Sequence, residues 1–582
     1  MSERAHKRLR TTPGMVETPA VLSTLPLDNL LCEVHRLLGP TWCLAPYNTL
    51  LPSYLKPPSS KIQAEDLNFL IRKGALDIPP AALREEILKA YIRHVHPHMP
   101  FLDLNVFSDA IFNSHVGSNG QDGISLLLFQ AVMFAGAFFV DLKHLYAAGF
   151  LSRRNALEIL FERARVRDII NIGKKVFGRA WTNTLQTLHD FDSEDDELAI
   201  VQSLLLMTYW YENPQRNKDG RHWISVCISL ACKISLHLES SKLLVGDSSQ
   251  KFHSLLWWSI FTRDRMIAFG LQQPPLIKNE VYLPMDVPTA ESLGIFNLQS
   301  FRGYAGGCYK ANRESLGCIF IEKIKLCRCI RDDMFSWDAQ KKRPVGSPSH
   351  AESRKESLLA SKEGLQTWRE ELPSKIKFQP KHFLPPNDGE LIFHIHCAWL
   401  WMAYNDIHST VHRQLEFLSE DSDSPRQLSL STSESPVLSG AVEMTEVAHD
   451  LCQKHLIHYL PCSSVPMILR AGIIHIQRMC TGDAEIERSG LKGLLQCLSA
   501  LKQLSRVYGS ALFLVSILGG EQTEALNSST PKDILKKFDI ETLDRLTLGF
   551  AESSSPTILK IREPYDVDVI AQLKSRRTDL CY

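Results

Sequence analysis

The longest apolar stretches of the chain carry helical spacing. After Gly220, the residues Ile224, Cys227, Ala231, Ile234 and Leu238 recur at steps of three and four, the stripe of a helix buried along one face. Residues 198–211, LAIVQSLLLMTYWY, are apolar almost all round, as a helix at the centre of a bundle would be. Between the two lies ENPQRNKDG, whose Asn, Pro and Gly mark a turn, so the pattern predicts an antiparallel helical hairpin. Two more long helices are predicted over ANRESLGCIFIEKIKLCRCIRDDMF and LIFHIHCAWLWMAYNDIHSTVHRQL. Strand signals are sparse, and the expected fold class is all-α.

Shifts in composition divide the chain. Residues 1–60 read as a mostly disordered N-terminal segment, 61–337 as the first part of a large helical domain, and 338–357 as an exposed linker loop. Helices resume over 358–417, break at a Ser-rich disordered loop over 418–440, and continue over 441–520. That loop holds eight serines beside acidic residues, where phosphorylation would add charge without disturbing any packing. Residues 521–582 are polar and include ILKKFDIETLDRLTLGF, an acidic amphipathic helix suited either to a partner or to docking on the core.

A chain of 582 residues can bury one large core or two medium ones. Lys plus Arg and Asp plus Glu both number 65, so there is no overall basic footprint and any DNA contact has to be local. The fourteen cysteines are scattered through apolar stretches without a C-x-x-C, which suggests reduced, buried thiols and argues against a structural zinc site here. The N-terminus lacks a secretory pattern, and its basic residues Lys7, Arg8 and Arg10 form either a nuclear-import patch or a stray basic tail. Residues 124–140 fall short of the ~20 apolar residues that span a bilayer and include Gln130, so they are expected to form a core helix, with no membrane partner.

Three clusters invite chemistry. His94, His96 and His98 could hold a metal if the segment were extended; the alternative is a helix end leading into a turn. The acidic run 192–197 offers Asp192 and Asp195 as Mg²⁺ ligands of an all-α metal-dependent enzyme, or as carboxylates complementing the positive end of the following helix. No phosphate-loop, dinucleotide or nucleophile-elbow motif occurs, and the chain is not expected to be an enzyme. In SLLWWSIFTRDRMIAFGLQQPP, residues 254–275, Asp264 has only Ile260 and Ala268 one turn away, and Arg265 has Phe261 and Phe269. Both charges are therefore expected to bond to neighbouring helices or loop carbonyls. The alternative is a pocket walled by Trp257 or Trp258, in which Asp264 or Arg265 orients a small ligand.

Together with YIRHVHPHMPFLD, the apolar segment from residue 124, the two helices around ENPQRNKDG and STVHRQL, this stretch resembles the fungal-specific transcription factor domain, the helical regulatory region of fungal binuclear-zinc-cluster regulators. The likeness covers roughly residues 85–480 and is greatest to the cutinase transcription factor beta type. Members show a tryptophan pair followed by Asp-Arg, then Gly and Pro before an acidic-proline segment, matched here by Trp257, Trp258, Asp264, Arg265, Gly270, Pro274, Asp286 and Pro288. The chain departs from the pattern at His253 to Leu256, where members carry basic residues, and at Gln414, where they often carry proline. The resemblance implies an all-α regulatory domain acting in the nucleus on RNA polymerase II transcription of metabolic or secondary-metabolism genes. Its implied partners are DNA, directly or through another regulator, the transcription machinery, a second copy of the chain and a small-molecule effector. The family's six-cysteine zinc cluster has no counterpart here, since only Cys32 and Cys43 precede Cys227; no cofactor is expected in this chain, and zinc only if a cluster lies ahead of it.

Overall fold

A computed structural model describes residues within 51–56, 68–104, 123–175, 196–210, 220–238, 247–278, 287–289, 313–335, 348–380, 388–419, 435–480 and 483–511, with interruptions of one or two residues, and residues 107 and 515. Every regular element among them is helical, apart from one isolated parallel bridge between Leu55 and Ile124. The chain divides into two compact units, one of residues 1–96, 102–210 and 298–305, the other of residues 97–101, 211–297 and 306–582.

The first unit contains α1 (Ala81–Ala90), a π-turn (Tyr91–Val95), α2 (Leu126–Ala137), α3 (Leu142–Ala147), α4 (Arg153–Lys175) and α5 (Glu197–Met207). α2 is its centre. All twelve of its residues are buried, as a helix apolar but for Gln130 requires, and α1, α4 and α5 pack around it. Its polar ends are satisfied within the unit: Ser125 accepts from the Leu128 N–H, and buried Arg153 donates to the carbonyls of Ala137 and Phe138 at 2.9 and 2.7 Å. Gln130, the residue that argued against a membrane span, donates to the Asp77 carbonyl at 2.7 Å. Among the described residues no helix is long and apolar enough to cross a membrane. Gly136 lets α1 approach closely, because a Cβ there would collide with the Ile87 carbonyl.

The second unit contains α6 (Gly220–Lys233), α7 (Asp247–Leu271), α8 (Arg313–Arg328), α9 (Pro348–Glu371), α10 (Asp388–Ser419), α11 (Pro436–Gln453), α12 (Ser464–Arg478) and α13 (Ala484–Leu504). α11, α12 and α13 pack on one another, while the 32-residue α10 touches α8, α9, α11 and α12. α10 and α12 are joined by a buried ion pair, in which the Arg470 guanidinium grips both carboxylate oxygens of Asp406, with Nε 2.7 Å from Oδ1. Arg470 also lies over the Phe269 ring of α7, 4.8 Å from its centroid.

Three expectations need correction. The helices expected to form a hairpin fall in different units: α5 packs against α2 and α4, and α6 against α7. A helix that is apolar all round needs partners all round, and α5 finds them in α2 and α4. The segment 338–357, read as an exposed loop, enters α9 at Pro348, and Arg354 and Ser357 are buried. The segment 418–440, read as disordered, ends inside α11, which starts at Pro436; residues 420–434 lie outside the described residues. So do most of 1–60 and the acidic amphipathic stretch 534–550.

Candidate functional site

α7 carries the tryptophan pair and the Asp-Arg charges. Trp257 and Trp258 are 0% and 1% exposed, and Trp258 meets Phe261 edge to face with ring centroids 5.4 Å apart. Asp264 and Arg265 are both 0% exposed, so each needs its charge met inside the unit. The Asp264 carboxylate accepts from the backbone N–H groups of Leu276 (3.0 Å) and Ile277 (2.9 Å). Arg265 donates to the Ile277 carbonyl at 2.6 Å and to Asp332 at 2.8 Å, and lies over the Phe261 ring. Adjacent residues on a helix point apart, yet these two converge because the chain reverses after α7 and brings residues 276–277 back beside them. Burial raises the Asp264 carboxyl above the usual range, against the pull of the Ile277 and Leu276 N–H groups and of Arg265. The arrangement clamps the segment leaving α7.

The rest of the motif follows the same logic. A Cβ on Gly270 would come 3.2 Å from Pro466 of α12, a close approach of two helices. The Pro274 carbonyl accepts from Arg221 of α6 at 2.8 Å, and Pro288 is buried; Asp286 lies outside the described residues. Gln414 donates to the Met334 carbonyl at 3.0 Å and accepts from Arg354 of α9 at 3.3 Å.

The histidines do not form an extended ligand row. His94 lies in the π-turn, with its ring 5.4 Å from that of Phe139, and His96 faces Tyr91, its imidazole pushed down to about 3 by burial. His98 belongs to the second unit, with Nε2 3.1 Å from Nδ1 of His396 and its carbonyl 3.0 Å from the Lys323 ammonium. Among the described residues no group of three or more His, Cys, Asp or Glu side chains is placed to hold a metal.

Of the acidic run, Asp196 caps α5, accepting from the N–H groups of Leu198 and Ala199 at 3.1 Å, and Glu197 occupies the first turn. Asp192 and Asp195 lie outside the described residues, as do Lys7, Arg8 and Arg10. Cys327 and Cys497 are fully buried, and burial pushes both thiols up to about 12, too high for a nucleophile at neutral pH. The sequence reading missed Asp406, Arg470 and Lys323, buried charges whose signal was their position inside apolar helical runs.

Residues 88–374 match the model of the fungal specific transcription factor domain. The chain is 33% identical over 491 residues to Cutinase transcription factor 1 beta of Fusarium vanettenii, covering 80% of this chain and 52% of that protein. It is 29% identical over 454 residues to Transcription factor cpaR of Aspergillus oryzae, covering 74% and 70% of the two chains. A shorter match, 25% over 219 residues, covers 38% of this chain and 28% of the Fusaric acid cluster transcription factor FUB12 of Gibberella moniliformis. The chain thus spans about half the length of the Fusarium vanettenii protein. No solved structure matches it.

Proposed function

Since residues 88–374 belong to the fungal specific transcription factor domain family, we propose that the chain is a regulator of transcription rather than an enzyme, its helical units forming the regulatory part. The observation that carries this reading is the match over 88–374, which contains the buried Trp257, Trp258, Asp264 and Arg265 of α7. We place its action in the nucleus, on RNA polymerase II promoters of a metabolic or secondary-metabolism gene set, in keeping with a relative named for the fusaric acid cluster. It reaches DNA directly or through another regulator, engages the transcription machinery, pairs with a second copy of itself, and responds to a small molecule through its helical domain.

The test is to fuse the full chain to a heterologous DNA-binding module and measure a reporter carrying that module's site. Reporter output changes several-fold on recruitment, and fluorescently labelled chain accumulates in nuclei in a manner that depends on Lys7, Arg8 and Arg10. A reporter that ignores the recruited, folded chain would refute the regulatory reading. Light scattering at twice 65.9 kDa reports the pair.

A further inference from the structure

α10 carries Trp401, Tyr404, His408 and His412 at steps of three and four, in one row along the helix. Their rings follow one another: Trp401 and Tyr404 have centroids 5.3 Å apart at 20°, Tyr404 and His408 5.5 Å at 25°, and His408 and His412 4.4 Å at 49°. The inner side of this row is held in the core, where Trp368 of α9 stacks on Tyr404 at 5.2 Å. Tyr404 is buried, but Trp401, His408 and His412 remain partly exposed. They line a cleft of about 700 Å³, within the size range of small-molecule sites.

The facing wall is cationic. α9 contributes Lys362 and Arg369, and the segment after it contributes Lys377. The one carboxylate in the lining, Glu370, accepts a hydrogen bond from Gln366 at 3.0 Å. The Arg369 guanidinium lies 5.8 Å from the centroid of the Trp401 ring. Three positive side chains therefore share the cleft with one negative side chain. Burial, with Arg369 and Lys362 beside His408 and with His408 and Lys362 beside His412, holds both imidazoles down to about 4. At neutral pH the two histidines present flat, uncharged rings, while the Arg369 guanidinium, hydrogen-bonded to the Tyr404 hydroxyl, shares the cleft with the Lys362 and Lys377 ammoniums.

We propose that the cleft between α9 and α10 binds a small planar aromatic carboxylate, its anion held by Lys362 and Arg369 and its ring stacked on the part-exposed rings of Trp401 and His408. An aromatic body gains from the ring faces, a carboxylate matches the Arg369 fork, and only the combination uses both walls. This deepens the small-molecule part of the proposed function and rests on that reading for its biological consequence, though not for binding itself.

Calorimetry on the full chain with 2-naphthoate as the probe tests the site, with uncharged 2-naphthalenemethanol and non-aromatic cyclohexanecarboxylate as controls. 2-Naphthoate binds with one-to-one stoichiometry, and each control binds about tenfold more weakly or less. Lys362→Gln and Arg369→Gln are exposed changes that leave the melting temperature in place, and each weakens 2-naphthoate about fivefold or more. Trp401→Leu abolishes the quenching of tryptophan fluorescence by the probe. The proposal is overturned if 2-naphthoate gives no heat at millimolar concentration, if the two controls bind as well as the probe, or if the double variant Lys362→Gln, Arg369→Gln binds it undiminished. The recruited reporter, measured with and without 2-naphthoate, is a separate readout: a bound probe with an unresponsive reporter removes the effector reading and leaves the site standing.

Discussion

A buried charge is stable only because of its partners, and in the second unit those partners are identifiable. Asp406 is 1% exposed and its carboxylate is held by both nitrogens of the Arg470 fork. Asp406→Ala leaves a guanidinium inside the bundle with its main acceptor gone, at a cost of about 3–5 kcal/mol. The double variant Asp406→Leu, Arg470→Met removes both charges and recovers most of that loss, since the desolvation cost disappears with the pair. Urea unfolding of the parent and the two variants checks both statements, and a double variant no more stable than Asp406→Ala would refute the pairing. Asp264→Ala works through the backbone instead: it strands the N–H groups of Leu276 and Ile277 and costs about 2–4 kcal/mol. In the sequence, Asp264 and Arg265 are legible as charges with no partner on their own helix. Which groups answer them is not, because Ile277 comes back through a chain reversal and Asp332 lies 67 residues further on. The Asp406 and Arg470 pairing spans 64 residues and two helices, a separation at which no local pattern operates.

At the scale of elements, legibility follows how completely a helix is buried. α2 reads directly as a core helix because all its positions but Gln130 are apolar or small, and all twelve of its residues are buried. Its closest contact, with α1, depends on Gly136, where a methyl would meet both the Ile87 carbonyl and the Ile87 side chain. Gly136→Ala therefore forces the two helices apart and destabilises the first unit by about 1–3 kcal/mol, although alanine is the better helix former. A rise in melting temperature on that substitution would contradict the close approach. α9 is the opposite case. Its later part, with Leu358, Leu365 and Trp368 buried in a stripe, falls in the stretch read as helical, but its first turns, 348–357, are rich in Ser and Glu and resemble a loop. The residues buried there, Arg354 and Ser357, are polar, and Arg354 reaches α10 through Gln414, a partner no local pattern shows. The ring row of α10 was present at helical spacing in the sequence, but the cationic wall that gives it chemical meaning comes from α9, a different helix, and from the segment after it.

Across the whole molecule the charges cancel, 65 against 65, so the response to pH is set by individual buried groups rather than by a net field. Both units hold histidines kept neutral by burial: His96 in the first, pushed down to about 3, and in the second His475, pushed down to about 4 alongside His408 and His412. A folded-state value below the unfolded one means that the unfolded chain binds the proton first. Such a histidine's contribution is complete above the unfolded value near 6.5 and is lost as pH falls towards the folded value. Within that window each group lowers stability by about 1.4 kcal/mol per pH unit, so the second unit loses roughly 3 kcal/mol between pH 6.5 and 4 through His475 alone. His475 packs against Gly493 and its Nε2 lies 2.9 Å from the Thr445 hydroxyl, so His475→Gln keeps a hydrogen-bonding side chain there and removes the titration. That variant is less stable than the parent at pH 7 because the packing is altered, but its stability falls less steeply between pH 6.5 and 4. Equal slopes for parent and variant in urea titrations across that range would show that His475 is already protonated in the folded chain, and that the acid sensitivity of the second unit comes from other groups.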